Sequence, residues 1–177
     1  VRELHVYCEL IPWDAPEERF ARLSPKGYIL SGGPASVYEP GAPTLPSFVL
    51  ASGAPILGIC YGMQLMTHQL GGTVEGAAQR EYGPAQVDVT APAELFRDIE
   101  AQDVRVWMSH GDRINELPPG FIALARSDNS PVAAMGDPKR HLYGVLHPVR
   151  TINALAQKVR PDGRFDLLDN GEGDVRL

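Results

Sequence analysis

The residues with the most chemical content lie in Gly58-Ile59-Cys60-Tyr61-Gly62, where a cysteine occupies the centre of a G-x-C-x-G pattern between an apolar run and a helical one. This is the nucleophile-elbow arrangement with sulfur in place of a serine oxygen. A nucleophile at such a corner stands on a tight, strained turn, and a Cβ at either glycine would collide with neighbouring backbone. The helix that begins after Cys60 would aim its amide dipoles at the sulfur and favour thiolate, and a nearby histidine would favour it further. The Tyr61 N–H, just past the nucleophile, is the natural first donor of an oxyanion hole. The outline is that of a thiolate attacking an acyl carbon. The bland alternative, a small buried hydrophobe, fits Cys8, because Val6-Tyr7-Cys8-Glu9-Leu10 offers no such frame.

A corner of this kind needs a strand before it and a helix after it. Residues 54–59 are the most strand-like run in the chain, and Met63, Met66, Thr67 and Leu70 fall on one helical face that Gly71-Gly72 would stop. Upstream, residues 6–11 read as a strand, 15–23 as a short helix and 28–30 as a second strand ending abruptly at Ser31-Gly32-Gly33-Pro34. Residues 43–51 read as a helix opened by proline. This alternation predicts an α/β fold with a parallel first half. The second half is richer in strands, with short apolar segments at 87–90, 104–108, 121–125, 132–135 and 142–146. Ile152, Leu155, Ala156 and Val159 fit one short amphipathic helix, and turn signals at 161–163 and 169–171 lead into a loosely held tail.

A chain of 177 residues with 44% hydrophobic content suits one globular domain. Its 16 Lys+Arg against 22 Asp+Glu leave a net charge of −6, which supplies no positive field for a nucleic-acid backbone. No stretch approaches the ~18 consecutive apolar residues of a membrane helix, and the opening Val-Arg-Glu-Leu-His shows no secretory signal. Two cysteines make no disulfide framework. The expectation is a cytoplasmic protein, with neither nucleic acid nor membrane as partner, whose thiols stay reduced.

Four stretches together resemble the class I (triad) glutamine amidotransferases, and within that family the glutaminase domains of GMP synthetases. They are 30–38 with Ser31-Gly32-Gly33-Pro34-Ala35-Ser36-Val37-Tyr38, 57–64 with the cysteine elbow, Arg80-Glu81-Tyr82-Gly83, and 106–112 with Met108-Ser109-His110-Gly111-Asp112, followed by segments at 127–129 and 131–135. The elbow alone indicates an amidotransferase or a related thiol hydrolase; the other motifs point to the GMP synthetase branch. The resemblance covers about residues 1–147. It implies an α/β fold, a mostly parallel open sheet of seven or so strands flanked by helices, flavodoxin-like, with a small strand-rich second half. Residues 1–150 would form this domain and 151–177 a helix-and-turn tail.

The resemblance further implies that Cys60 attacks the side-chain amide of glutamine, with His147 matching the catalytic histidine and Gly33 the second oxyanion donor beside Tyr61. Gln64, Ser109 and His110 fall where the family grips the amino-acid end of the substrate, the latter two largely through backbone groups, and Asp112 suits the substrate ammonium. No metal or cofactor is implied for this half-reaction. ATP and Mg belong to an ATP-pyrophosphatase partner, which uses the ammonia to aminate xanthosine monophosphate.

Each motif also has a plainer reading. Ser31-Gly32-Gly33-Pro34 alone would be a tight turn, and as a phosphate cradle it lacks the Gly-Lys-Ser/Thr ending. Arg80-Glu81 reads as a solvated or loop-positioning pair and His110 as a possible turn residue, while His5, His68 and His141 suggest no role. Three departures stand beside the resemblance. The family's Phe-His-Pro-Glu is here Leu146-His147-Pro148-Val149, so the carboxylate that orients the histidine is replaced by Val149, in a segment about two residues shorter. Such a loss costs a serine triad ~10⁴ in turnover, and a thiolate less. The family's opening strand and Phe-Gly-Ser-Gln loop have no counterpart ahead of Val1, which predicts a weakened sheet and an open pocket wall. The likeness is expected to stop near Arg150. These departures motivate a second reading, an impaired module that binds or regulates a partner, and the elbow alone leaves a third, another thiol hydrolase.

Overall fold

Ile56-Leu57-Gly58-Ile59 and Leu142-Tyr143-Gly144-Val145 are apolar without alternation, the pattern of strands covered on both faces, and both are buried throughout. In the computed structural model, which describes residues 1–2, 5–91, 94–96 and 104–146, they pair side by side within a seven-stranded sheet. Its strands are β1 (Tyr28–Leu30), β2 (Ile56–Ile59), β3 (Thr73–Val89), β4 (Val104–Glu116), β5 (Ile122–Arg126), β6 (Ala134–Asp137) and β7 (Leu142–Val145), in the order β1-β2-β7-β6-β5-β3-β4. The β1, β2 and β7 strands run parallel. From β7 outward to β4 every pairing is antiparallel. The open α/β sheet flanked by helices is therefore present, parallel around β2 and antiparallel through the strand-rich second half.

Alternate residues of the inner strands feed two apolar clusters. Ile56 and Leu142 face Met63 and Met66 of α3 (Tyr61–Gln69), with Val49 of α2 (Ser47–Ala51). Leu57, Tyr143 and Val145 face the opposite side, among Val87, Phe96, Met108 and Leu124. The α3 helix stops where Gly71 adopts φ +90° and where a side chain at Gly72 would lie 2.6 Å from the Glu116 carbonyl oxygen. The predicted helix at 15–23 is α1 (Glu17–Leu23), with Glu17 and Glu18 in its first turn and Arg22 in its last, a charge order that suits the helix dipole.

Several expectations are corrected. Residues 6–11 form no strand. Tyr7 is 76% and Leu10 89% exposed, and among the described residues β1 is the sheet's edge, pairing with β2 alone; an apolar run with no neighbouring ladder has nothing to complete a strand. All seven strands of the described residues assemble in one sheet, with β1 at its edge. The segments 87–90 and 104–108 are the ends of a much longer hairpin. Because β3 pairs β5 only at Asp88 and Val89, most of β3 and β4 is a two-stranded ribbon, whose sequence need not carry a continuous apolar stripe. Arg80 and Glu81 lie in β3, and His110 lies in β4 rather than a turn. The helix expected near 152–159 and the turns after it lie outside the described residues, as do His147, Pro148 and Val149. Among the described residues no helix is long and apolar enough to cross a membrane.

Candidate active site

Parallel strands end on the same side of a sheet, so the segments leaving β1, β2 and β7 meet at one edge. The first is Ser31-Gly32-Gly33-Pro34, the second Cys60, the third Leu146. Cys60 is locked in the middle. Its N–H donates to the Val145 carbonyl at 2.8 Å, and its thiol donates to the Leu146 carbonyl oxygen at 3.0 Å. The backbone at Cys60 has φ 49° and ψ −110°, a conformation that costs a non-glycine residue about 1–3 kcal/mol and is found where a side chain must be presented sharply. The two flanking glycines answer to close approach. A methyl at Gly58 would sit 2.6 Å from the Gly62 carbonyl oxygen, and one at Gly62 would overlap the Leu30 carbonyl.

The loop after β1 closes on the same corner. A Cβ at Gly32 would stand 3.5 Å from Cys60 Cβ, and one at Gly33 3.7 Å from Tyr61 Cγ. Tyr61 holds this loop from below by donating its hydroxyl to the Pro43 carbonyl at 2.6 Å. Gln69 grips the same loop through both the N–H and the carbonyl of Leu45. In the first turn of α3 the Met63 and Gln64 N–H groups both donate to the Cys60 carbonyl. Among the described residues no carbonyl takes the Tyr61 or Gly33 N–H, so both donors are unengaged in the segments that meet at Cys60. Two unengaged N–H groups are what a pocket for a developing oxyanion requires.

The charge state of the thiol differs from the expectation drawn from the helix dipole. Burial pushes the Cys60 thiol up to about 11, so the described surroundings favour the neutral, donating form seen in the bond to Leu146. A base is needed to draw off this proton at neutral pH.

The residues expected at the amino-acid end of the substrate divide. Gln64 and Asp112, 48 residues apart, are brought together: Gln64 is buried, and its Nε2 donates to the Asp112 backbone carbonyl at 3.3 Å. Asp112 lies in β4 opposite Gly76, with Oδ1 accepting the Tyr38 hydroxyl at 3.0 Å. Ser109 and His110 lie in the same strand, opposite Tyr82 and Glu81. Sequence reasoning missed Tyr38, although it ends the motif that supplied Gly33, because a contact 74 residues away leaves no local pattern. It also missed the carbonyl of Leu146, since backbone groups carry no signature of residue type. No group of three or more His, Cys, Asp or Glu side chains among the described residues is placed to hold a metal ion.

Comparison with known proteins shows the family. The family model for glutamine amidotransferase class-I matches residues 1–149. The chain belongs to the class I glutamine amidotransferases. It is 55% identical over 168 residues to a GMP synthase (glutamine-hydrolyzing) from Thermomicrobium roseum, covering 94% of this chain and 31% of that protein. A second GMP synthase (glutamine-hydrolyzing), from Nitrosomonas eutropha, is 46% identical over an alignment that takes in 97% of this chain and 34% of its own length. The chain thus spans about a third of these relatives, and the likeness runs past Arg150, where it was expected to stop. Among solved structures, a candidate GMP synthase subunit from Thermoplasma acidophilum is 28% identical with a TM-score of 0.69, over 82% of this chain and 73% of that one. A Thermotoga maritima glutamine amidotransferase, 23% identical with a TM-score of 0.63 over 78% and 62% of the two chains, shares the fold.

Proposed function

We propose that this chain hydrolyses glutamine to glutamate and ammonia, and that the ammonia serves a GMP synthetase ATP-pyrophosphatase partner that aminates xanthosine monophosphate. The observation that supports the reading is the strained corner at Cys60 with the Gly32-Gly33 loop packed against it, the Gly33 and Tyr61 N–H groups taken by no carbonyl among the described residues, where β1, β2 and β7 end. In the reaction the thiol gives up its proton and the sulfur bonds to the side-chain carbonyl carbon. The oxygen, now negative, sits between the two N–H groups. The C–N bond then breaks, ammonia leaves with the returned proton, and water cleaves the thioester to glutamate, restoring the thiol. His147 takes and returns the proton; its role is supported by its place directly after Leu146, whose carbonyl receives the thiol. Gln64, Ser109, His110 and Asp112 hold the amino-acid end. The half-reaction needs no cofactor, since ATP and Mg act on the partner, and the setting is cytoplasmic.

The experiment is intact-mass spectrometry of the chain after incubation with a chloroketone analogue of glutamine, alongside an assay of ammonia release. A single adduct on Cys60, blocked by excess glutamine and lost in Cys60→Ser, is the expected result, with ammonia release abolished in Cys60→Ala. Ammonia release undiminished in Cys60→Ala would overturn the assignment.

A further inference from the structure

The family resemblance gives Tyr38 no part in the chemistry, and its sequence neighbours suggest only a loop residue. Its position argues otherwise. Tyr38 is 51% exposed, yet its hydroxyl reaches Asp112, a residue only 9% exposed, and donates to Oδ1 at 3.0 Å. Gly76 lies across from Asp112 in the hairpin. A Cβ there would stand 3.4 Å from the Tyr38 hydroxyl and 3.9 Å from Asp112 Oδ1, ordinary contact distances, so Gly76 lies directly against the pair. Tyr38 is thereby the link between two halves of the site. It belongs to the loop that carries Gly33, and it touches the strand that carries Ser109, His110 and Asp112.

We propose that Tyr38 is a positioning residue for amino-acid recognition: its hydroxyl fixes the Asp112 carboxylate in the rotamer that receives the substrate's α-ammonium group. The inference rests on the proposed function, in which Asp112 meets that ammonium. A carboxylate held by a charge-assisted hydrogen bond is pre-organised, and less rotamer freedom is lost when the cation arrives. With phenylalanine in its place the ring stays, but the carboxylate loses the hydrogen bond from the phenol. The defect falls on ligands with an α-ammonium group and spares those without one, because Cys60, Gly33 and Tyr61 are untouched.

Two chloroketones separate this role from a structural one. One carries the α-amino group of glutamine; the other is the same molecule with hydrogen there, 5-chloro-4-oxopentanoate. Rates of Cys60 modification in the full chain are read by intact mass. Wild type is expected to react faster with the amino reagent, and Tyr38→Phe to slow that reaction about tenfold, the worth of one charge-assisted hydrogen bond, leaving the other rate unchanged. Asp112→Asn should remove the preference and make Tyr38→Phe silent in the double variant, the non-additivity of residues acting as one unit. Equal slowing of both reagents by Tyr38→Phe, or no slowing of either, overturns the inference while leaving the glutaminase reading intact. Failure of wild type to prefer the amino reagent removes ammonium recognition, and the inference with it; failure of Cys60 to react with either removes the proposed function itself.

Discussion

At the scale of single residues the site depends on one sulfur whose surroundings hold its proton. With the thiol pushed up to about 11 by burial, its thiolate fraction at pH 7 without help is roughly 10⁻⁴, and ionisation rises only as pH climbs toward that value. A base of lower pKa beside the sulfur moves the reactive range downward. Alkylation of Cys60 by iodoacetamide should therefore show an inflection well below 11 in the wild-type chain, whereas in His147→Ala the rate should keep rising with pH toward about 11. Coincident pH profiles would show that His147 does not serve the thiol. Cys60 itself was legible in the sequence because the elbow needs glycines on both sides, and Gly58 and Gly62 do approach backbone that no Cβ could face. The raised thiol was not legible. Burial is a property of everything packed around a residue, and the sequence around Cys60 suggests only the opposing helix dipole.

At the scale of elements the site is delivered by strands whose own anchorage lies elsewhere. The β7 strand brings Leu146 to the sulfur, and the turn before it is held by Asp137. Asp137 Oδ1 accepts the Lys139 and Arg140 N–H groups at 3.0 and 3.2 Å, and Oδ2 pairs with Arg140 Nε at 2.5 Å. Arg140 also donates to the Pro119 carbonyl and lies over the Phe121 ring. Burial alone would raise the Asp137 carboxyl, but the hydrogen bonds and charge of Arg140 with the turn N–H groups hold it below its ordinary 3.8. A depressed carboxyl stabilises the fold above its unfolded value and loses that contribution as pH falls through the folded one. Asp137→Asn should cost about 1–2 kcal/mol at pH 7, a figure reduced because the arginine is 45% exposed, and less at pH 3. Urea unfolding at the two pH values reads both quantities, and an equal loss at each would refute the electrostatic account. None of this was visible in the sequence, where Asp137 is one acid in a turn. The edges of elements behaved similarly: β2 and α3 were readable from unbroken apolar runs and helical spacing, but residues 6–11 looked the same as a strand and found no partner.

At the scale of the whole molecule the proposed glutaminase reaction is one half of a coupled one. If the ammonia made at Cys60 is what the synthetase partner consumes, that partner should not need Cys60 when ammonia is given directly. With an ATP-pyrophosphatase partner supplied, Cys60→Ala is expected to abolish glutamine-dependent amination of xanthosine monophosphate and to leave amination with ammonium chloride near its wild-type rate. A loss of both would place Cys60 in the coupling or folding of the enzyme rather than in ammonia supply. The sequence by itself determined the elbow cysteine, the glycines that permit its turn, the helix behind it and the family to which the chain belongs, since each of these is written in residue types at short spacing. The tertiary structure alone decided the convergence of Gly33, Cys60 and Leu146 at one sheet edge, the bridge from Gln64 to Asp112, the reach of Tyr38 and the burial that raises the thiol. Those depend on which strands lie side by side and on what each face is packed against, and both follow from contacts tens of residues apart that local pattern does not encode.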